Sequence, residues 1–390
     1  MVMKYRVLHA PTTVGGNPQG LSRALKEIGV SSASLTLAQN YFNYPCDIVV
    51  WKENDTIFMR ELKRIWWLFS APFRYEILHF NFGSSFAGYY GVNLHPKEGF
   101  SCIQFLKWIY SKYLWGMQTI ELSLLKLLKK PVFVTYQGDD ARQGDYCLAN
   151  FEISIATQVD DGYYNIVSDD FKRKSIKRLD KCCERIYSVN PDLMHVLPQR
   201  TVFVPYSHVF MDEWRPIFTQ TEDRPLRIVH APSHRQVKGT DIIIAALDRL
   251  KAQGYSFELL LVEGMSNAEA RKVYETADVL VDQLFAGWYG GLAVELMALG
   301  KPVLVYIRED DLKYIPPEMK ADLPFVNVNP STIEDGLRYV FEMSREQLLD
   351  LARKSRAFVE LWHDPVKIAE QIKVDYENSL RRKQSLKTKN

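Results

Sequence analysis

Apolar residues along this 390-residue chain fall into two rhythms. Short unbroken runs alternate with stretches in which apolar positions recur every three or four residues. An unbroken run fits a strand covered on both faces, and the spaced pattern fits one face of a helix. In the first half the runs predict strands over 5–9, 47–51, 75–82, 131–137 and 185–190. Helices are expected over 20–28, 57–70, 101–129 and 169–184. In the first of these Leu21, Leu25 and Ile28 share a face, and Gly29 is the stop. The stretch 138–167 has little period and reads as a loop over a cleft.

The second half is cleaner. Strands are expected over 227–231, 257–263, 279–283, 302–306 and 325–328. Helices intervene over 240–253, 267–276, 292–299 and 331–342, followed by two more over 344–361 and 365–380. Thr240 is placed as the cap of the first, with Ile243, Ile244, Leu247 and Leu250 as its buried stripe. The segment 202–226 reads as a connection between domains. The tail from Leu380 carries five Lys/Arg and no acid, and reads as frayed.

The chain also repeats itself. Arg6-Val7-Leu8-His9-Ala10-Pro11 returns as Arg227-Ile228-Val229-His230-Ala231-Pro232, about 220 residues later. Each copy is a strand that runs into a loop and then a helix, the start of a nucleotide-binding α/β unit. The expectation is two Rossmann-like, doubly wound domains facing across a cleft. The first spans 1–210, the second 211–361, and a helix at about 362–380 packs back on the first.

Bulk properties narrow the chemistry. A hydrophobic share of 47% and a charged share of 25% describe a globular chain able to build two cores. A net charge of +2 removes a nucleic-acid partner at the level of the whole chain. The five cysteines lack ligand spacing, and Cys182-Cys183 is adjacent, so a reduced, cytoplasmic chain is expected. Met1–Lys4 leads straight into a predicted strand, so no signal peptide is expected, and no uncharged apolar run is long enough to cross a bilayer.

Four loops carry candidate chemistry. In Gly287-Trp288-Tyr289-Gly290-Gly291-Leu292-Ala293-Val294-Glu295, two glycines precede a helix start whose free N–H groups attract phosphate oxygens. Glu295 is positioned to accept two hydrogen bonds from a ribose diol, or it merely complements the helix dipole. In Ser233-His234-Arg235-Gln236-Val237-Lys238, Lys238 lies just before a helix and fits a diphosphate; the plainer reading is a solvated surface lysine. His234 and Arg235 either assist or stay exposed. Gly15 and Gly16 occupy the matching loop of the first domain, where they admit a ligand or simply turn the chain. In Gln137-Gly138-Asp139-Asp140-Ala141-Arg142, an Asp orients a sugar hydroxyl or pairs with Arg142. His9 and His79 sit inside apolar runs and read as core. No metal site stands out.

Together these residues resemble a glycosyltransferase of the GT-B fold, similar to the retaining family-four enzymes. The likeness covers most of the chain and is strongest over 227–306. That family carries two glutamates with seven residues between them; the second matches Glu295, for the donor ribose, and the first falls on Gly287. Of the family's Arg and Lys for the diphosphate, Lys238 matches the Lys; the Arg position falls on Ser233, with Arg235 displaced. The first-domain His-Gly of many members reads Gln137-Gly138 here. His-Ala-Pro-Ser before the Lys, and Gly-Trp-Tyr-Gly before the Glu, look like enzymes of surface-polysaccharide biosynthesis.

The resemblance implies a nucleoside-diphosphate-sugar donor, transfer with retention, and no metal or other cofactor. Lys238, Glu295 and Asp140 are the implied catalytic residues. Gly15, Gly16, Ser233, Arg235, Lys238, Tyr289, Gly290, Gly291, Leu292 and Glu295 are the implied donor set. Gln137, Asp140 and Arg142 are placed on the side of a glycan or lipid-linked acceptor. A non-catalytic nucleotide-sugar-binding partner and a nucleotide-sugar epimerase are the alternatives.

Aromatics make up 13% of the chain and crowd into 41–115. Phe105, Trp108, Tyr110, Tyr113 and Trp115 lie among lysines, and Ile65–Phe69 lies among Arg60, Lys63, Arg64 and Arg74. Most of these are expected to pack on the first domain's sheet, with a subset touching an anionic membrane surface from the cytoplasmic side.

Overall fold

The computed structural model describes residues 4–40, 42–88, 102–218 and 224–387, without the side chains of 386 and 387. The first residues of the chain, Phe100, part of the 202–226 connection and the last three residues lie outside the described set. Seven strands form the first sheet: β1 (Arg6–Ala10), β2 (Ser31–Thr36), β3 (Ile48–Val49), β4 (Ile77–Asn81), β5 (Val132–Tyr136), β6 (Arg185–Ser188) and β7 (Val202–Phe203). Five form the second: β8 (Leu226–His230), β9 (Phe257–Leu261), β10 (Val279–Val281), β11 (Val303–Val305) and β12 (Val326–Asn327). The sheet orders are β3-β2-β1-β4-β5-β6-β7 and β12-β11-β10-β8-β9. Every pairing between these strands is parallel.

The helices of the first half are α1 (Asn17–Glu27), α2 (Ile57–Arg74), α3 (Cys102–Leu127), α4 (Gly144–Asn150) and α5 (Ile166–Asp180). Those of the second are α6 (Arg235–Lys238), α7 (Thr240–Ala252), α8 (Asn267–Thr276), α9 (Gly291–Ala298), α10 (Pro317–Ala321), α11 (Ile333–Glu342), α12 (Arg345–Trp362) and α13 (Pro365–Lys387). Parallel strands require crossovers, and these helices supply them on both faces. β4 and β5 are buried along their whole length, as unbroken apolar runs demand.

Three local readings change. β2 has no apolar run, because Ser31, Ser32 and Ser34 interrupt it. Its serines are satisfied by neighbours instead: Ser32 Oγ lies 2.8 Å from Ser22 Oγ, and Ser34 Oγ donates to Asp47 at 2.9 Å. Thr240 does not cap α7. Gly239, in the left-handed region at φ +79°, holds the cap position, and Thr240 is buried against His230 Nε2 at 2.9 Å. The stretch 138–167 is not a bare loop. It folds into α4 and a short turn over Ile155–Thr157, and its Cys147, Ile155 and Tyr164 join the core of the second sheet.

The domains are tied at two further places. Gly20 of α1 lies against the 207–208 backbone so closely that a Cβ would sit 2.2 Å from the Ser207 carbonyl oxygen. α13 returns to the first sheet, where Tyr376 packs on His79 and Phe133 and Asp375 accepts from Arg185 and Tyr187. His9 and His79 are core residues. Burial drives the His9 imidazole down to about 3, and its two ring nitrogens have no hydrogen-bond partner among the described residues.

Candidate functional site in the interdomain cleft

The two repeated strand–loop–helix units present their C-terminal edges to one cleft, the edge at which parallel sheets bind ligands. One open cavity of about 180 Å³ is lined by Gly15 from the first domain and by Ser233, Lys238, Asn267, Gly291, Leu292 and Glu295 from the second. A second adjoins it, lined by Gln137, Gly138, Asp139 and Arg142 on one side and Ser233, His234, Lys238, Gln283 and Gly290 on the other. Ser233 and Lys238 belong to both walls.

Lys238 ends α6, a single turn, and its side chain reaches back to the end of β10. Its Nζ donates to Asp282 Oδ1 at 3.1 Å and to Gln283 Oε1 at 2.7 Å. Asp282 is buried, and its other oxygen accepts the Gly290 N–H at 2.9 Å. One carboxylate therefore holds both the cation and the loop that leads into α9. Gly290 is the N-cap of α9, and no side chain caps that end. Gly291 and Leu292 begin the helix on the wall of the first cavity, where uncapped amides raise the local potential. The Gly290 amide, in contrast, is taken by Asp282.

Glu295 lies in the second turn of α9, nearly fully buried yet on the cavity wall. It accepts from Asn267 Nδ2 at 3.2 Å. His208, carried on the connection between domains, sets its Nε2 3.6 Å from Glu295 Oε1. Neither ring nitrogen of His208 has a hydrogen-bond partner among the described residues. Its ring also lies 3.1 Å from where a Cβ on Gly291 would be, so this glycine lets the imidazole close over the helix start.

Several expected site residues lie elsewhere. Tyr289 is fully buried and gives its hydroxyl to His363 Nε2 at 2.8 Å, because the loop turns it into the second domain's core. Arg235 is exposed and paired with Glu263 and Asp241, and it lines neither cavity. Gly16 does not line these two cavities but faces the Tyr44 ring and an adjoining one, which shares Tyr44, Asn267 and Glu295 with the first. Asp140 folds into its own turn, accepting the Gln137 and Gly138 N–H groups at 3.1 and 2.6 Å. Burial, only partly offset by those donors, pushes its carboxyl up to about 7.

Asp139 is the cleft-facing member of that acidic pair. It accepts from Arg142 Nη1 at 2.9 Å and from the hydroxyls of Tyr163 and Tyr164. Burial works to raise this carboxyl, but the Arg142 charge and the two phenol donors outweigh it and hold it low. Arg142 is anchored in turn on Asp192 at 2.8 Å.

Gly287 occupies the place where the resemblance sets a first glutamate. Its backbone is left-handed at φ +78°, and Arg308 covers it. Arg308 is fixed by Asp311 at 2.8 Å, by the Ile153 carbonyl at 2.9 Å and by the Phe151 ring beneath it. Asp282, at the end of an expected strand, was open to discovery from its position. His208 and Asn267 carry no motif and come to the cleft only through the fold, as Arg308 comes to Gly287. Among the described residues no group of three or more His, Cys, Asp or Glu is arranged to hold a metal.

No family model and no curated protein matches this chain. Solved structures do. Sucrose-phosphate synthase from Thermosynechococcus elongatus is 15% identical over 97% of this chain and 100% of its own, with a TM-score of 0.58. HepE from Anabaena in complex with UDP-glucose is 12% identical over 96% of this chain and 100% of its own, at 0.58. The catalytic domain of starch synthase IV from Arabidopsis thaliana, bound to ADP and acarbose, is 11% identical over 97% and 100%, at 0.58. At such identities the likeness concerns the fold, and the fold is GT-B.

Proposed function

We propose that this chain transfers a sugar from a nucleoside-diphosphate-sugar to a glycan or lipid-linked acceptor, with retention of anomeric configuration. The observation that carries the reading is the convergence of Lys238, the uncapped start of α9 and buried Glu295 on one cavity between two domains. A diphosphate leaving group needs fixed positive potential as its bond to the sugar breaks, and an ammonium with helix amides supplies it. Glu295 suits the ribose diol, with His208 beside it. HepE was crystallised with UDP-glucose and starch synthase IV with ADP, which supports a nucleotide at this place. A cytoplasmic location goes with that donor.

In this mechanism the acceptor oxygen bonds to the anomeric carbon on the face from which the diphosphate departs. The C–O bond to phosphate breaks with its electron pair. The acceptor proton passes to a phosphate oxygen of the leaving group. Lys238 and the Gly291 and Leu292 amides hold that group, and the wall of Gln137 and Asp139 faces the acceptor. Enclosure between the domains limits attack by water.

Gly287 favours a second reading, a partner subunit that binds nucleotide sugar without turning it over, because Arg308 stands where the family's first glutamate would be. A thermal-shift screen with UDP, GDP, dTDP and CMP, followed by transfer and donor-hydrolysis assays with the matching sugar nucleotides, separates the two. Turnover by the isolated protein supports the transferase. Binding with no turnover supports the partner subunit, and no nucleotide binding removes both.

A further inference from the structure

The outer side of α2 is apolar. Trp67, Leu68, Ala71 and Pro72 face the core, as an amphipathic helix requires. Yet Phe58, Leu62, Trp66, Phe69 and Phe73, at intervals of four, four, three and four residues, form a second apolar stripe on the opposite side. All five are exposed, from 42% for Phe69 to 71% for Phe58. The expectation that most aromatics here pack on the sheet does not hold for this stripe. Single exposed apolar residues are ordinary, but five large ones aligned on one helix mark a surface that meets something apolar.

α3 extends the surface. Phe105, Trp108 and Ile109 in its first turns are exposed. The helices are joined where the Tyr110 and Tyr113 hydroxyls donate to Glu61 of α2 at 3.1 and 2.8 Å.

The charge on these helices selects the occupant. α2 and α3 together carry seven Lys/Arg and two Glu, a net +5 on a chain whose total is +2. Both glutamates are occupied internally. Glu61 holds the two tyrosines, and Glu121 is buried on the Ser85 hydroxyl and the Phe86 and Ala87 amides. The cations flank the rings: Arg74 lies 5.3 Å from the Trp66 ring and Lys112 lies 5.6 Å from that of Trp108. A second copy of this chain is a poor occupant, since a two-fold contact would set the basic side chains of this face, Arg74 and Lys112 among them, against their own copies. Aromatic rings with basic side chains at their edges instead match the boundary between anionic headgroups and acyl chains. Among the described residues no helix is long and apolar enough to cross a membrane, so the fitting geometry is a helix lying in the interface.

We propose that the outer stripe of α2, with the first turns of α3, docks flat on an anionic phospholipid bilayer. The proposal goes beyond sugar transfer and stands on this surface alone. The test is co-sedimentation of the full chain with phosphatidylcholine vesicles, with and without phosphatidylglycerol, at low and high salt. Binding to the anionic vesicles at low salt, weakened roughly tenfold or more by high salt, is expected. The double variant Trp66→Glu, Phe69→Glu should lose at least about tenfold in vesicle affinity, because it removes apolar area and adds two like charges facing the headgroups. Both sites are exposed, so its urea midpoint and its thermal shift with UDP should match the parent.

As a second readout on the unaltered protein, brominated phosphatidylglycerol should quench tryptophan fluorescence, and Trp66→Phe should reduce that quenching. Absence of binding to anionic vesicles overturns the proposal. So does unchanged binding by the double variant. Sedimentation velocity that shows a parent dimer turned into a monomer by the double variant overturns it in favour of a second copy. None of these outcomes bears on nucleotide binding, which is read separately.

Discussion

The Arg308 guanidinium fills the space beside Gly287, its Nη1 only 2.7 Å from where a Cβ on that glycine would sit. Gly287→Glu should therefore harm the protein rather than restore a missing family residue. A side chain in the left-handed region and an overfilled site should together cost about 2–4 kcal/mol. Urea unfolding measures the loss. A variant as stable as the parent and faster in transfer would show that Arg308 does not occupy the glutamate's place.

Lys238→Ala should weaken UDP binding roughly ten- to a hundredfold, since a charge-assisted hydrogen bond contributes about 1.5–3 kcal/mol. It also strands Asp282, buried and left with the Gly290 N–H as its hydrogen-bond partner among the described residues. Adding Asp282→Asn removes that stranded charge. The double variant should regain stability but not affinity in titration calorimetry. Recovery of affinity would place the diphosphate elsewhere.

Glu295→Gln should weaken UDP more than 2′-deoxy-UDP, because only the former presents the full diol to the carboxylate. The parent should prefer UDP by about tenfold, and the variant should nearly lose that preference. An unchanged preference takes Glu295 out of the ribose site. His208→Phe keeps the ring packed over Gly291 and removes both nitrogens, so it should lower UDP affinity without moving the unfolding midpoint.

We propose that the fixed cation and the helix amides serve the leaving group in place of a metal. Turnover should be the same after dialysis against EDTA as before it. A loss restored by magnesium or manganese would end this view of the leaving group.

Glu121 makes one part of the stability depend on pH. Burial, opposed in part by its three donors, pushes its carboxyl up to about 7 from an ordinary 4.5. Between those values the folded chain holds a proton that the unfolded chain has released. Stability from this group is full below 4.5 and declines as pH rises to about 7, by about 3 kcal/mol in total. Glu121→Gln lacks the titration, so its urea stability relative to the parent should improve across that window. A constant difference would mean that Glu121 is ionised throughout.

The alternation of unbroken and spaced apolar runs was enough to place most strands and helices, since burial on two faces or on one writes a period into the chain. Strand β2 escaped because hydrogen bonds to Ser22 and Asp47, rather than apolar side chains, satisfy its serines. The repeated strand and loop marked the two cleft edges, and Ser233, Lys238, Gly291 and Glu295 do line the cavity. Direction was not readable. Whether Tyr289 turns to the core, Arg235 to solvent or Asp140 into its own loop depends on what each side chain meets across the fold. The same holds for His208 beside Glu295 and Arg308 beside Gly287, pairs separated by 87 and 21 residues along the chain. Local sequence determines which segments bury a face; only the packed molecule decides which distant groups share one small volume.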